Sequence, residues 1–313
     1  MSIDSIAEGP GRRVVLAMAV TVLAWASAFI VIRSTGESIS GGALALGRLV
    51  VGAIVLGIIA LAGGAWVRPT RREWLLVAGF GVLWFGGYNV ALNIAEQTLD
   101  AGTTAMIVGI GPVLMALGAG VFLGEGIPKW LAVGAGVALF GVILIGIGSG
   151  ASRVGDGSGI VWCLAAALTY TVGVLLQKPA LRRLPHTQVT WLGCVIGMVA
   201  CLPFSADLLR EVMDAPASAI LGVIYLGAVP TALAFTTWAY ALSRMPAGQL
   251  GITTYLVPPI VIVLGLVVLG EVPAALAVVG GAVCLVRVAL SRRRPRTPPA
   301  VLLGTGPGKT VAE

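Results

Sequence analysis

Few residues in this chain could do chemistry, and each sits where an apolar sequence makes it costly. Arg48 lies inside the apolar stretch 42–63, about 9 Å deep by helical rise. A buried charge there needs compensation, so its guanidinium either grips a carboxylate or phosphate, snorkels to headgroups, or pairs within the bundle. Asn89 and Asn93 fall one turn apart in the stretch 74–94, and two amides facing lipid would go unsatisfied, so that face should line protein or a wet cavity. Pro112 and Pro258 each interrupt the middle of an apolar stretch, where the lost backbone bond kinks a helix or makes a hinge. Glu125 and Glu271 each follow such a stretch and precede a new one, either complementing a helix N-terminus or acting as gate latches or proton carriers.

What these residues lack also decides something. The single histidine, His186, falls between apolar stretches beside Pro185 and reads as a solvated loop residue. Without a histidine in a span or a paired intramembrane aspartate, the chain offers no catalytic residue and reads as no enzyme. The cysteines Cys163, Cys194, Cys201 and Cys284 have neither CxxC spacing nor histidine partners, so no metal site and no cofactor is expected. The run from Gly304 to Thr310 imitates a phosphate loop, but its first glycine is misplaced by one residue.

The elements that must position these groups follow from composition. Apolar residues make up 58% of the 313 residues, charged ones only 11%, and the mean hydropathy is +1.01. A soluble domain of this size could not bury so much apolar surface, and disordered chains are polar, so the chain is an all-α integral membrane protein. Runs long enough to cross a roughly 30 Å hydrocarbon layer occur ten times: 14–32, 42–63, 74–94, 102–123, 130–148, 159–177, 188–205, 218–240, 248–269 and 274–290. Near the start, Ala26-Ser27-Ala28 imitates a signal-peptide cleavage site, but the 19-residue run from Val14 to Ile32 is long enough to span. The ladder Ala116, Gly120, Gly124 and the pair Gly193/Gly197 repeat every four residues, which lets helix backbones approach closely.

Lysine and arginine set the orientation. With the N-terminus inside, fifteen of the twenty fall in cytoplasmic segments, three (Arg33, Arg153, Arg210) fall outside, and Arg48 and Arg287 lie within spans. That bias puts both termini in the cytoplasm of a multi-pass protein of the cell membrane. The basic clusters flank apolar spans, so they mark topology and not a nucleic-acid surface.

A shift of 146 residues superposes the two halves. Ala101-Gly102 falls on Ala247-Gly248, Pro112 on Pro258, Leu123-Gly124-Glu125 on Leu269-Gly270-Glu271, and Gly134 on Gly280. Five spans per half is an odd number, so the second half must be inverted in the membrane. The loop charges agree: Arg68, Arg71 and Arg72 in one half correspond to Asp207, Glu211 and Asp214, with a lone Arg210, in the other. Inverted repeats are typical of secondary transporters. The expected organisation is a cytoplasmic segment 1–13, a first repeat 14–148, a linker 149–158, a second repeat 159–290 and a basic tail 291–313.

This arrangement resembles the drug/metabolite transporter superfamily, specifically the EamA-type proteins with two tandem five-helix units. The resemblance rests on Trp25-Ala-Ser27-Ala-Phe29, Gly47-Arg48, Tyr88-Asn-Val-Ala-Leu-Asn93, Gly109-Ile-Gly-Pro112 leading to Phe122-Leu-Gly-Glu125, and Val257-Pro-Pro259 leading to Leu-Gly-Glu271. It implies alternating-access transport of a small metabolite, such as an amino acid or drug-like compound, with export favoured over import. The alternative is a lipid flippase or a membrane-embedded interaction scaffold. Expected partners are the small-molecule substrate and the bilayer, with a homodimer left open. Candidate substrate residues are Trp25, Ser27, Arg48, Trp84, Tyr88, Asn89, Asn93, Tyr170, Thr231 and Trp238; candidate hinges and gates are Pro112, Pro258, Glu125 and Glu271. Tyr88, Tyr170 and Trp25 sit deep in their spans and suit an aromatic-lined pocket, although packing within the bundle is the competing reading.

Overall fold

The structure is a computed structural model that describes residues 11–63, 66–124 and 157–272, with Ala275, Val278 and Val279. Span 130–148, nearly all of 274–290, most of the linker, the tail, Glu125, Cys284 and Arg287 lie outside the described residues.

The described residues form helices α1 (Arg12–Thr35), α2 (Gly41–Ala62), α3 (Arg71–Thr98), α4 (Ala101–Phe122), α5 (Ser158–Ala180), α6 (His186–Ala200), α7 (Leu202–Asp214), α8 (Ala217–Leu242) and α9 (Ala247–Leu269). Seven are long and apolar enough to cross a membrane singly, and α6 with α7 forms a bent pair. Their outer faces expose Leu16, Ile58, Phe122, Leu168 and Val267, as lipid contact requires. The chain is a multi-pass, all-helical membrane protein.

Local chemistry explains where the helices begin and end. Thr70 and Glu73 make a capping box at the start of α3: the Glu73 amide donates to the Thr70 hydroxyl at 3.3 Å, and the Thr70 amide donates to the Glu73 carboxylate at 2.7 Å. At the start of α4, the Asp100 carboxylate accepts from the Thr103 amide at 2.8 Å. Pro185, Pro216 and Pro246 directly precede α6, α8 and α9. At the far ends of α4 and α9, Gly124 and Gly270 adopt φ of +70° and +67°, the left-handed helix stop that disfavours a Cβ. They stand 146 residues apart, the spacing at which the two halves of the sequence superpose.

Two regions depart from the sequence reading. The charged stretch after residue 205 is helical rather than a loop, and it belongs to α7, which leaves α6 at 52° before the expected span 188–205 ends. Its acidic residues lie on one amphipathic helix with Leu209 and Met213 exposed, and Glu211 accepts from the Ser40 amide at 2.8 Å to cap α2. His186 is the first residue of α6 and half-buried, its ring 5.5 Å from that of Tyr240.

Close packing depends on the small residues. A Cβ at Gly197 would stand 2.4 Å from the Phe85 Cβ and 2.8 Å from the Gly81 carbonyl, so α6 can cross α3 only with glycine there. α1 runs antiparallel to α8: Thr35 packs on Gly222, Ser27 meets Tyr225, and Thr21 meets Thr237. α5 runs antiparallel to α3, with Gly173 against Trp84 and Gly79 against Leu176.

Candidate substrate site

Two broken helices meet at the centre. α4 consists of Ala101–Val108 and Gly111–Phe122, with Gly109 and Ile110 between them. α9 passes from Ala247–Thr253 through a tight turn at Thr254–Leu256 into Val257–Leu264. Pro112 and Pro258 each occupy the first turn of the second segment, where a missing amide hydrogen costs no helical bond. Both prolines border one cavity of about 40 Å³. That volume holds a few water molecules and falls far below the roughly 300–1,000 Å³ common for ligand pockets.

Aromatic rings form the opposite wall. Trp25, Phe29, Trp84, Tyr88 and Tyr170 all line the cavity. Trp84 stands 6.0 Å from Trp25 and 5.1 Å from Tyr170 between ring centroids, and Tyr88 stands 6.0 Å from Tyr170. A local π-helical turn over Gly81–Tyr88 widens α3 where Trp84 and Tyr88 project. Behind this wall, Trp238 lies 5.1 Å from Trp25 and Phe235 lies 4.8 Å from Trp84. The cavity wall carries no charged side chain among the described residues.

Of the expected site residues, Trp25, Trp84, Tyr88, Tyr170, Pro112 and Pro258 therefore meet at one place. The others stand apart from it. Arg48 is 3% exposed and donates from Nε to the Thr231 hydroxyl at 3.1 Å, tying α2 to α8, while its Nη1 has no partner. Asn89 donates to the Phe85 carbonyl at 2.7 Å within α3, and Asn93 donates to the Gly41 carbonyl of α2 at 3.1 Å. Ser27 is hydrogen-bonded to the Tyr225 hydroxyl at 2.8 Å, linking α1 to α8. Trp238 belongs to the second aromatic layer. Glu271 lies at the end of α9, far along the bundle from the cavity's prolines.

Phe29, Ala105, Val108, Gly109, Thr254 and Val257 complete the cavity and are not among the expected substrate residues. Helical spacing was the available signal. Phe29 is four residues beyond Trp25, Val108 four before Pro112, and Thr254 four before Pro258. Glu96 follows the apolar stretch 74–94 in the sequence, within α3. It is 1% exposed, and neither carboxyl oxygen has a hydrogen-bond partner among the described residues.

Polar ties cross both ends of the bundle. At one end Arg33 donates to Glu271 at 2.7 Å and to the Glu96 carbonyl at 3.0 Å, and Glu271 accepts from the Ala101 amide at 3.2 Å. At the other, Lys178 donates to the carbonyls of Leu242 and Met245 at 2.5 and 2.6 Å. Arg183 there donates to Glu73 at 2.8 Å, and this bond raises the guanidinium above its ordinary pKa. Gln188 exchanges two hydrogen bonds with the Val67 backbone.

Broken helices that meet at an aromatic cavity inside a lipid-facing bundle define a transporter, not an enzyme. The chain belongs to the EamA-like transporter family, whose pattern matches twice, at residues 12–147 and 157–293. A "probable terminal-alkyne amino-acid exporter" of Streptantibioticus cattleyicolor is 36% identical over 90% of this chain and 94% of its own length. The uncharacterized transporter YdfC of Bacillus subtilis is 30% identical, over 76% of this chain and 77% of its own. A "probable amino-acid metabolite efflux pump" of Salmonella typhimurium is 25% identical, over 59% and 65% respectively. A solved crystal structure matches the fold with a TM-score of 0.64 and 21% identity, covering 89% of this chain and 96% of that one.

Proposed function

We propose that this chain exports a small amino acid or a closely related metabolite by alternating access. The observation that carries the reading is the aromatic cavity at the two proline breaks; two relatives named for amino-acid export and amino-acid metabolite efflux support the substrate class. In this reading Trp25, Trp84, Tyr88 and Tyr170 contact the substrate, their ring faces taking its apolar side chain and its ammonium group. Pro112 and Pro258 serve as hinges that let the second segments of α4 and α9 swing and widen the cavity. Ser27, Asn89, Asn93, Thr231 and Trp238 hold the wall in place, and Glu125 and Glu271 act at the ends.

The same proposal includes ten spans in two inverted repeats, 14–148 and 159–290. The left-handed glycines Gly124 and Gly270, at equivalent positions, support it. Both termini are cytoplasmic in the cell membrane, so the Arg33–Glu271 end faces outward and the Lys178 end faces the cytoplasm. A second reading of one residue is favoured by the unpartnered Arg48 Nη1: in an opened cavity Arg48 would reach a substrate carboxylate.

The test uses purified protein in proteoliposomes and L-propargylglycine, a terminal-alkyne amino acid. Carrier action gives saturable uptake that accelerates when the same compound is preloaded inside. Flux that never saturates and shows no acceleration would overturn the proposal. For Arg48, the lysine variant keeps a charge but loses the fork. A raised half-saturation in Arg48→Lys favours the carboxylate role, whereas a lowered amount of folded carrier with unchanged half-saturation favours the tie to Thr231.

A further inference from the structure

The cavity wall contains two buried hydrogen-bond donors, the indole N–H of Trp84 and the hydroxyl of Tyr170. Trp84 and Tyr170 both line it and are 0% and 5% exposed. Among the described residues the Trp84 Nε1–H has no hydrogen-bond partner, and the Tyr170 hydroxyl, whose polar neighbour is Thr254, has none within hydrogen-bond distance. Buried donors are almost always satisfied, so each such group asks for an acceptor. Their ring centroids are 5.1 Å apart, so both residues border the same part of the cavity.

Both rings are held in place. A Cβ at Gly173 would come within 2.6 Å of the Trp84 Cβ, and one at Gly111 within 2.7 Å of the Tyr170 ring. The rings therefore occupy space that only glycine leaves free. The Thr254 hydroxyl near Tyr170 is itself donated to the Gly251 carbonyl at 2.8 Å. The remaining wall offers ring faces and aliphatic carbons, and Arg48 stands off it.

We infer that Trp84 and Tyr170 are specificity-determining residues that bind the carboxylate of the transported amino acid through two neutral donors, with no cation of the protein in contact with it. This rests on the amino-acid reading above. Recognition by neutral donors has a physical advantage in a carrier: an empty cavity without a fixed charge needs no counter-ion when it crosses between its two open states.

The experiment measures counterflow of L-propargylglycine in proteoliposomes, with but-3-yn-1-amine, the same molecule without its carboxylate, as competitor. Tyr170→Phe removes one oxygen and keeps the ring. It is expected to raise the half-saturation for the amino acid about ten-fold, the effect of losing one hydrogen bond to a charged group, and to leave inhibition by the amine unchanged. Trp84→Phe should shift the same ratio in the same direction, and it serves as the second variant if Tyr170→Phe does not fold. Equal half-saturation in wild type and both variants overturns the inference alone. So does an equal loss for both compounds, which marks a structural role, or a selective loss for the amino acid in Arg48→Lys. A wild type that moves neither compound overturns the amino-acid reading and this inference with it.

Discussion

The Arg33 end and the Lys178 end of the bundle are tied by the same device. In each, a cation at the end of one long helix donates to carbonyls at the end of another: Arg33 of α1 to Glu96 of α3, and Lys178 of α5 to Leu242, the last residue of α8, and to Met245 in the turn after it. Glu96 and Leu242 are 146 residues apart, the spacing that relates Pro112 to Pro258. Helix C-termini leave four carbonyls without intrahelical partners, and a cation there is favoured by the helix dipole as well. The ends lie at opposite faces, since α8 begins beside Thr35 and finishes at Lys178. A carrier that opens one end at a time needs two separable locks of similar strength, because a ligand or mutation moves such an equilibrium only by its differential effect on the two states.

The largest expected effect comes from breaking one lock at a time. A cysteine introduced at Ala105, on the cavity wall one turn from Ala101, reports opening at the Arg33 end through its reaction with an impermeant thiol reagent, measured over the native-cysteine background. Glu271→Gln deprives Arg33 of its charged partner and weakens the acceptor for the Ala101 amide, so labelling should accelerate about ten-fold, equivalent to a shift of roughly 1.4 kcal/mol. Lys178→Met should slow it, because loosening the opposite end draws the population that way. Acceleration in both variants would mean that the ends are not reciprocal and that both substitutions simply loosen the bundle.

A smaller effect sharpens the equivalence of the two ends. Gly270→Ala and Gly124→Ala place a Cβ on a left-handed residue, at a cost of about 1–2 kcal/mol each. Among the described residues neither position has a neighbour within 4 Å of that Cβ, so the cost is conformational and should be alike at both. Asparagine tolerates this conformation better, so Gly270→Asn should recover much of the melting temperature lost by Gly270→Ala. Unequal losses, or no recovery, would show that the two helix stops are not the same structure.

How much of this could be read from residues alone depends on what each inference needs. Helix ends carry local signals: Thr70 with Glu73 caps the start of α3, Asp100 caps α4, and the repeated Leu-Gly-Glu places Gly124 and Gly270 after α4 and α9. The prolines of the cavity were legible because they recur at one spacing. The rotation of each helix about its axis was not. α2 is apolar all round, so nothing in its pattern says whether Arg48 faces the cavity or Thr231. On α3, the π-helical turn shifts the register between Phe80 and Asn89, and this puts Tyr88 on the cavity while Asn89, its neighbour, bonds back to Phe85. Asp207, Glu211 and Asp214 suggested a loop because they follow the end of the apolar run at 205, yet the same residues lie on the amphipathic helix that α7 adopts.

The smallest expected effect separates the two ends by exposure. The Lys178 end carries the pair Arg183 with Glu73, whereas the opposite end carries Arg33 with Glu271 and, within α7, Arg210 with Asp207. Arg183 is nearly half exposed, and water and salt screen such a pair. Its geometry is favourable, with two nitrogens on one carboxylate and a further bond to the Arg68 carbonyl. Screening should nevertheless dominate, so Arg183→Ala is expected to leave the melting temperature and the Ala105→Cys labelling rate within error of the parent at 0.15 M salt. A measurable acceleration of opening at the Lys178 end would instead show that this surface pair, and not Lys178 alone, holds that end shut, and the symmetry between the two locks would have to be replaced by a one-sided latch.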